Sequence, residues 1–161
     1  MTKQTSLTLW RISNYSDLSG KGGLEAEGRW HSRGWKVAYL ADSSTGALLE
    51  VLVHLQIEGD DLPDSFMLLR ISIPNSMRVL ELAPPPGEDW KSDEALTRKI
   101  GDEWLASKTT ALARVPSSIV TGAWNYLLNP DHPDAGSVEI VSVTREKYDQ
   151  RLFRLGPRLS K

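Results

Sequence analysis

Hydrophobic and polar positions alternate from Leu7 to Ile12, and Trp10 within that run favours a strand. A glycine-rich stretch follows at Gly20, Gly22, Gly23 and Gly28 and ends in Arg29-Trp30. Gly34 then precedes Val37-Ala38-Tyr39-Leu40, whose short apolar run predicts a buried strand. Asp42, Ser43 and Ser44 are helix N-cap candidates. From Ala47 to Leu55 the spacing of Ala47, Leu48, Val51, Leu52 and Leu55 marks one broad helical face. Phe66 to Ile73 predicts a strand ended by Pro74, and Val79 to Leu82 another, stopped by the stiff run Pro84-Pro85-Pro86-Gly87. Ser92, Asp93 and Glu94 open a second helix, along which Leu96, Ile100 and Trp104 recur every four residues. Arg114 to Val120 and Val138 to Val143 predict strands, with a turn at Asn129-Pro130-Asp131-His132-Pro133 between them. Tyr148 to Leu155 is strand-like or helical. Strands and helices do not alternate regularly, so the fold class is α+β with a mixed β core, and residues 1–161 contain no linker that would split one domain.

Composition narrows the function. A net charge of −2 gives no long-range attraction to nucleic acid or to an anionic membrane, so neither is an expected partner. Arg151, Arg154, Arg158 and Lys161 gather near the end, as a solvated tail or a docking patch. The absence of cysteine excludes disulfides, thiolate metal sites and a cysteine nucleophile. His31, His54 and His132 lack metal-ligand spacing and read as surface or loop residues, so no metal is expected. Met1 to Ser6 lacks the apolar stretch of a signal peptide, and no run approaches the roughly 18 apolar residues of a membrane span. A cytoplasmic protein is the expectation.

One residue breaks the apolar pattern. From Gly46 to Val53, Glu50 is the only polar or charged side chain, in a helix that its neighbours predict to be largely buried. A buried carboxylate must be paired or shifted in pKa, and such groups collect at active sites. From the pattern alone Glu50 is either such a group or a structural glutamate paired to an arginine. The glycines form neither a dinucleotide-binding turn nor a phosphate-binding P-loop, and taken alone they describe a flexible loop. Pro116-Ser117-Ser118 lacks the context of a nucleophile elbow. Most of the six tryptophans should be packing residues, with Trp30 and Trp35, beside the glycine loop, the better pair for a ligand wall.

Several segments together resemble the RES domain, named for an arginine, a glutamate and a serine. They are Leu9-Trp10-Arg11, Glu27-Gly28-Arg29-Trp30-His31-Ser32-Arg33-Gly34, Val37 to Asp42, Ala47-Leu48-Leu49-Glu50, Val115 to Val120, and Asn125 to Pro133. The resemblance runs from about residue 8 to about residue 155. It implies a fold like that of ADP-ribosyltransferases and action on NAD⁺ as substrate, by hydrolysis, phosphorolysis or transfer of ADP-ribose to a protein target. It also implies a toxin partnered by an Xre-type helix-turn-helix antitoxin. The family arginines fall on Arg11 and Arg29, the tyrosine on Tyr39, the glutamate on Glu50 and the serine on Ser117. One departure is Leu24-Glu25-Ala26-Glu27-Gly28, where a second glycine beside Gly28 would be expected.

The implied chemistry suits these residue types. Loss of nicotinamide leaves an oxocarbenium-like ribose, which a nearby carboxylate stabilises. Guanidinium forks match phosphate oxygens, and a flat ring stacks on nicotinamide. The expected catalytic set is Glu50, Arg11 and Ser117, and the expected substrate-binding set is Arg29, Tyr39 and Trp30. The two arginines would also be placed to keep Glu50 ionised.

Overall fold

The computed structural model describes residues 6–58 and 63–154. The first alternating segment is strand β1 (Leu7–Ser13), followed by a one-turn helix α1 (Gly22–Glu25), strand β2 (Ala38–Ala41) and helix α2 (Ser44–Glu58). Strands β3 (Ser65–Ile73) and β4 (Val79–Glu81) lead into helix α3 (Glu94–Ser107). Strands β5 (Leu112–Pro116), β6 (Trp124–Leu128) and β7 (Glu139–Lys147) complete the sheet, whose order is β4-β5-β6-β2-β1-β3-β7. Only β4 and β5 run parallel, so the sheet is mixed and the class is α+β.

Two apolar clusters hold the elements together. In the first, Leu9, Leu69, Ile71 and Ile73 of β1 and β3 meet Leu40, Leu112 and Leu128 of β2, β5 and β6. The two halves of the sheet therefore share a core, and each fully buried leucine or isoleucine contributes about 1.5–3 kcal/mol. The second cluster joins Trp104 and Leu105 of α3 to Val115 and Leu127, with Trp30 and Trp90. The buried indole N–H of Trp104 donates to Thr110 Oγ1 at 3.0 Å, and that hydroxyl donates to the Leu112 carbonyl at 2.8 Å. No polar atom of this pair is left unmatched.

The sheet opens between β1 and β2. β1 pairs with β3 along its whole length, and β2 pairs with β6 along all of its own. Between β1 and β2 only Trp10 and Ala41 are in register. Beyond that point the Arg11 guanidinium spans the gap and donates to the Tyr39 carbonyl at 3.1 Å. A side chain thus satisfies a backbone acceptor that a closed ladder would have matched.

Three expectations are corrected. Arg114 to Val120 is not one strand: β5 stops at Pro116, and the Ser117 hydroxyl accepts from the Ile119 and Val120 amides, folding the chain into a turn. Helix α2 is not largely buried. Among its described side chains only Ala47 is inside; the helix packs mainly on β1 and β2. Trp124 to Leu128, which carried no strand expectation, is the central strand β6. The Tyr148–Leu155 piece is a 3₁₀ turn over Gln150–Arg154, and Leu155 lies outside the described residues, as do Arg158 and Lys161.

α3 sits unusually close to the glycine-rich loop. A Cβ built on Gly101 would lie 1.6 Å from the Trp30 carbonyl oxygen. Gly101→Ala should therefore cost about 2–3 kcal/mol, because backbone rather than a flexible side chain must give way. Gly136→Ala, which meets nothing within 4 Å, serves as the comparison. Urea unfolding of both variants checks this, and equal midpoints would contradict it.

Candidate active site

A cleft of about 590 Å³ opens where β1 and β2 part, and Arg11, Arg29, Tyr39, Glu50, His54 and Asn125 all face it. A smaller cavity of about 230 Å³ adjoins it and shares Arg11, Tyr39, Glu50, His54 and Asn125. Five residues expected to form a site, Arg11, Arg29, Trp30, Tyr39 and Glu50, are thus brought together from β1, the glycine loop, β2 and α2.

One wall carries the carboxylate. Glu50 Oε1 accepts from Asn125 Nδ2 at 2.8 Å and, more weakly, from the Ser117 hydroxyl at 3.5 Å. Asn125 lies on β6, which is tied to the start of α2 by Trp124 N–H donating to Asp42 Oδ2 at 3.1 Å. The Ser117 oxygen is buried and already accepts two amides, so its proton is the part left for Glu50. Among the described residues no arginine pairs with Glu50, and its Oε2 accepts no hydrogen bond. Neutral donors therefore fix the carboxylate while one oxygen stays open to the cleft. Pairing by Arg11 or Arg29 is not how Glu50 is held. His54 follows Glu50 by one helical turn on the same face and lines both cavities.

The opposite wall is the segment from Gly28 to Ser32, gripped from two sides. From α3, the Thr97 hydroxyl donates to the Arg29 carbonyl at 2.6 Å and Arg98 Nε to the Gly28 carbonyl at 2.8 Å. Asp102 accepts from the Ser32 amide at 2.8 Å and from its hydroxyl at 2.5 Å. From β2, the Tyr39 hydroxyl accepts from the Trp30 amide at 3.1 Å and donates to His31 Nδ1 at 2.7 Å. His31 Nε2 must then carry the proton, which it donates to the Ala26 carbonyl at 2.9 Å. Gly28 is required here, since a Cβ would meet the Tyr39 hydroxyl at 2.6 Å. Burial pushes the Tyr39 phenol well above its ordinary range, so it remains a neutral donor.

The arginines face the cleft in different conditions. Burial pulls the Arg11 guanidinium below its ordinary pKa, with Asp17 opposing, and its Nε is buried without a partner. A buried unmatched donor is costly, and an anion in the cleft would satisfy it. Arg29 donates to the Lys91 carbonyl at 2.9 Å and lies 3.6 Å from Glu94. Arg98, unmarked in the sequence, also lines the cleft and bonds Glu94 at 2.7 Å.

Not every expected site residue contacts the opening in the expected way. Trp30 lines the cleft but is only 2% exposed, and its indole packs on Trp90 at 6.0 Å between centroids. Trp35 likewise packs against the second apolar cluster. Ser117 meets the site through Glu50. His31, read as a surface or loop residue, is buried. Asn125 and Arg98 went unmarked as candidates; the signal for Asn125 was a lone amide within Trp124 to Leu128.

Burial lowers the His31 pKa, with the bond to Ala26 opposing, so the folded protein keeps this imidazole neutral. The folded pKa lies below the unfolded value of about 6.5, so its contribution is present above that pH and is lost as pH falls. The melting temperature of the protein should exceed that of His31→Gln at pH 7.5, and the gap should narrow towards pH 5. A gap that holds constant would remove the neutral imidazole from the wall.

Comparison with known proteins gives a consistent assignment. The RES domain matches residues 8–151. Toxin Res of Pseudomonas putida is 47% identical over 148 residues, covering 91% of this chain and all of that protein. The Prs ADP-ribosylating toxin of a Sphingobium species is 35% identical, covering 91% of this chain and 97% of its own. Among solved structures, the toxin–antitoxin complex MbcT–MbcA of M. tuberculosis contains a chain of the same fold. Its TM-score is 0.73 at 19% identity, with 89% of this chain and 85% of that chain covered. With a match across most of its length and relatives aligned nearly end to end, the chain belongs to the RES-domain family.

Proposed function

We propose that this chain is the toxin of a toxin–antitoxin pair and that it cleaves the nicotinamide–ribose bond of NAD⁺. The observation that carries the reading is Glu50, held through one oxygen by Asn125, with Glu50 lining a cleft that Arg11 and Arg29 also line. The cleft volume of about 590 Å³ falls within the range of small-molecule sites, about 300–1,000 Å³.

In this reading the C1′–N bond breaks and its electron pair leaves with neutral nicotinamide. The ribose becomes cationic, and the fixed Glu50 carboxylate stabilises it without having to reorient. Asn125 and Ser117 keep that carboxylate in place. Arg11 and Arg29 take the two pyrophosphate charges, and Tyr39, whose hydroxyl is locked behind the wall, offers its ring to nicotinamide. An oxygen nucleophile closes the new bond at C1′ and loses its proton to solvent.

Degradation by water or phosphate is the leading form. Transfer of ADP-ribose to a protein is the second, favoured by the similarity to the Prs ADP-ribosylating toxin of Sphingobium. The proposed partner is an Xre-type helix-turn-helix antitoxin, in keeping with the toxin–antitoxin complex that shares the fold. Products from radiolabelled NAD⁺, with and without phosphate, separate the routes: label retained on a protein band marks transfer.

Glu50→Gln should lower nicotinamide release about 100- to 1,000-fold, as loss of a preorganised electrostatic partner does, with the melting temperature little changed. Asn125→Ala should lower kcat about tenfold or more, and Ser117→Ala less, because its contact is longer. Steady-state kinetics of the three variants checks the order, and unchanged turnover in Glu50→Gln would end this assignment.

A further inference from the structure

Two guanidinium groups that face the cleft already hold a carboxylate. Glu94, the first residue of α3, lines the cleft, and its two oxygens are divided between them: Oε1 lies 3.6 Å from Arg29 Nη2 and Oε2 lies 2.7 Å from Arg98 Nη2. Neither arginine depends on Glu94 for its placement. Arg29 is anchored to the Lys91 carbonyl at 2.9 Å, and Arg98 to the Gly28 carbonyl at 2.8 Å with Glu27 at 3.5 Å. Glu94 is half exposed, whereas both arginine side chains are about a quarter exposed. The cations are thus fixed and the carboxylate between them is the part free to swing out into solvent.

We infer that Glu94 is an internal stand-in for a phosphate group: it occupies the Arg29–Arg98 pair and must yield when a diphosphate enters. Arg98 thereby joins Arg11 and Arg29 as a third arginine of the diphosphate subsite, next to Arg29. The inference rests on the reading that the cleft takes a dinucleotide, and it adds a specificity device to it. A carboxylate that competes for the same two cations adds the same cost to every anionic ligand that displaces it, a cost that a more highly charged ligand outweighs. It would leave a ligand with two phosphate charges able to displace it and a monoanion unable to do so.

The test is Glu94→Gln, an isosteric change at an exposed position whose amide oxygen still accepts from Arg98. Glu139→Gln on the distant edge strand is the control for net charge. Inorganic pyrophosphate binding is measured by calorimetry, and NAD⁺ turnover is measured separately. Glu94→Gln should bind pyrophosphate about three- to tenfold more tightly and lower KM for NAD⁺ by a similar factor, with kcat within about twofold. Glu139→Gln should change neither. Unchanged or weaker pyrophosphate binding in Glu94→Gln, or no binding by any form, overturns the inference even if NAD⁺ is cleaved. Tighter pyrophosphate binding in a protein that leaves NAD⁺ intact upholds the inference and overturns the NAD⁺ reading instead.

Discussion

The hydrogen bond from Arg11 to the Tyr39 carbonyl is the constraint on which the site depends. It stands where β1 and β2 cease to pair, so the sheet parts without leaving that acceptor unmatched. A continuous ladder at this point would close the cleft. A wholly unpaired one would leave buried backbone groups without partners. Because the bridging group is a guanidinium, the gap also acquires a positive charge, and its Nε remains unspent inside.

Each wall of the cleft solves a different physical problem. A carboxylate near apolar surroundings must be held without being neutralised, and the Asn125 amide with the Ser117 hydroxyl does this with no positive charge. A loop of Gly28 to Ser32 must present an arginine without wandering. Its amides and carbonyls are taken up by Thr97, Arg98, Asp102 and Tyr39, which costs chain entropy once, at folding, and leaves less to be lost when a ligand arrives.

Periodicity made the larger elements legible. The alternation of Leu7 to Ile12, the fourfold spacing of Leu96, Ile100 and Trp104, and a helix opening at Ser92-Asp93-Glu94 all correspond to observed structure, in which Asp93 is the cap of α3. Glu50 stood out because a charge in an apolar helix is locally inconsistent, and such inconsistencies mark functional positions. The partners of Glu50 were hidden for a physical reason. Asn125 reaches it from 75 residues away, and Ser117 from 67, so only the tertiary fold brings them together. The burial of α2 was overestimated because an apolar composition does not say whether anything covers the second flank. β6 was overlooked because its aromatic and amide residues lack simple alternation, although pairing on both edges by β5 and β2 defines it. Of the two tryptophans beside the glycine loop, Trp30 lines the cleft and also belongs to the second apolar cluster, against which Trp35 packs.

The contact between Gly101 and the Trp30 carbonyl has a mechanical consequence. Helix and loop touch backbone to backbone there, with no side chain between them to deform. α3 and the arginine-bearing segment therefore move as one stiff body. α2 rests on β1 and β2 and is tied to β6 through the Glu50–Asn125 bond. The Asn125 and Ser117 bonds hold Glu50 from β6 and from the turn after β5, so the spacing between the carboxylate and the Arg29–Arg98 wall is set when the chain folds.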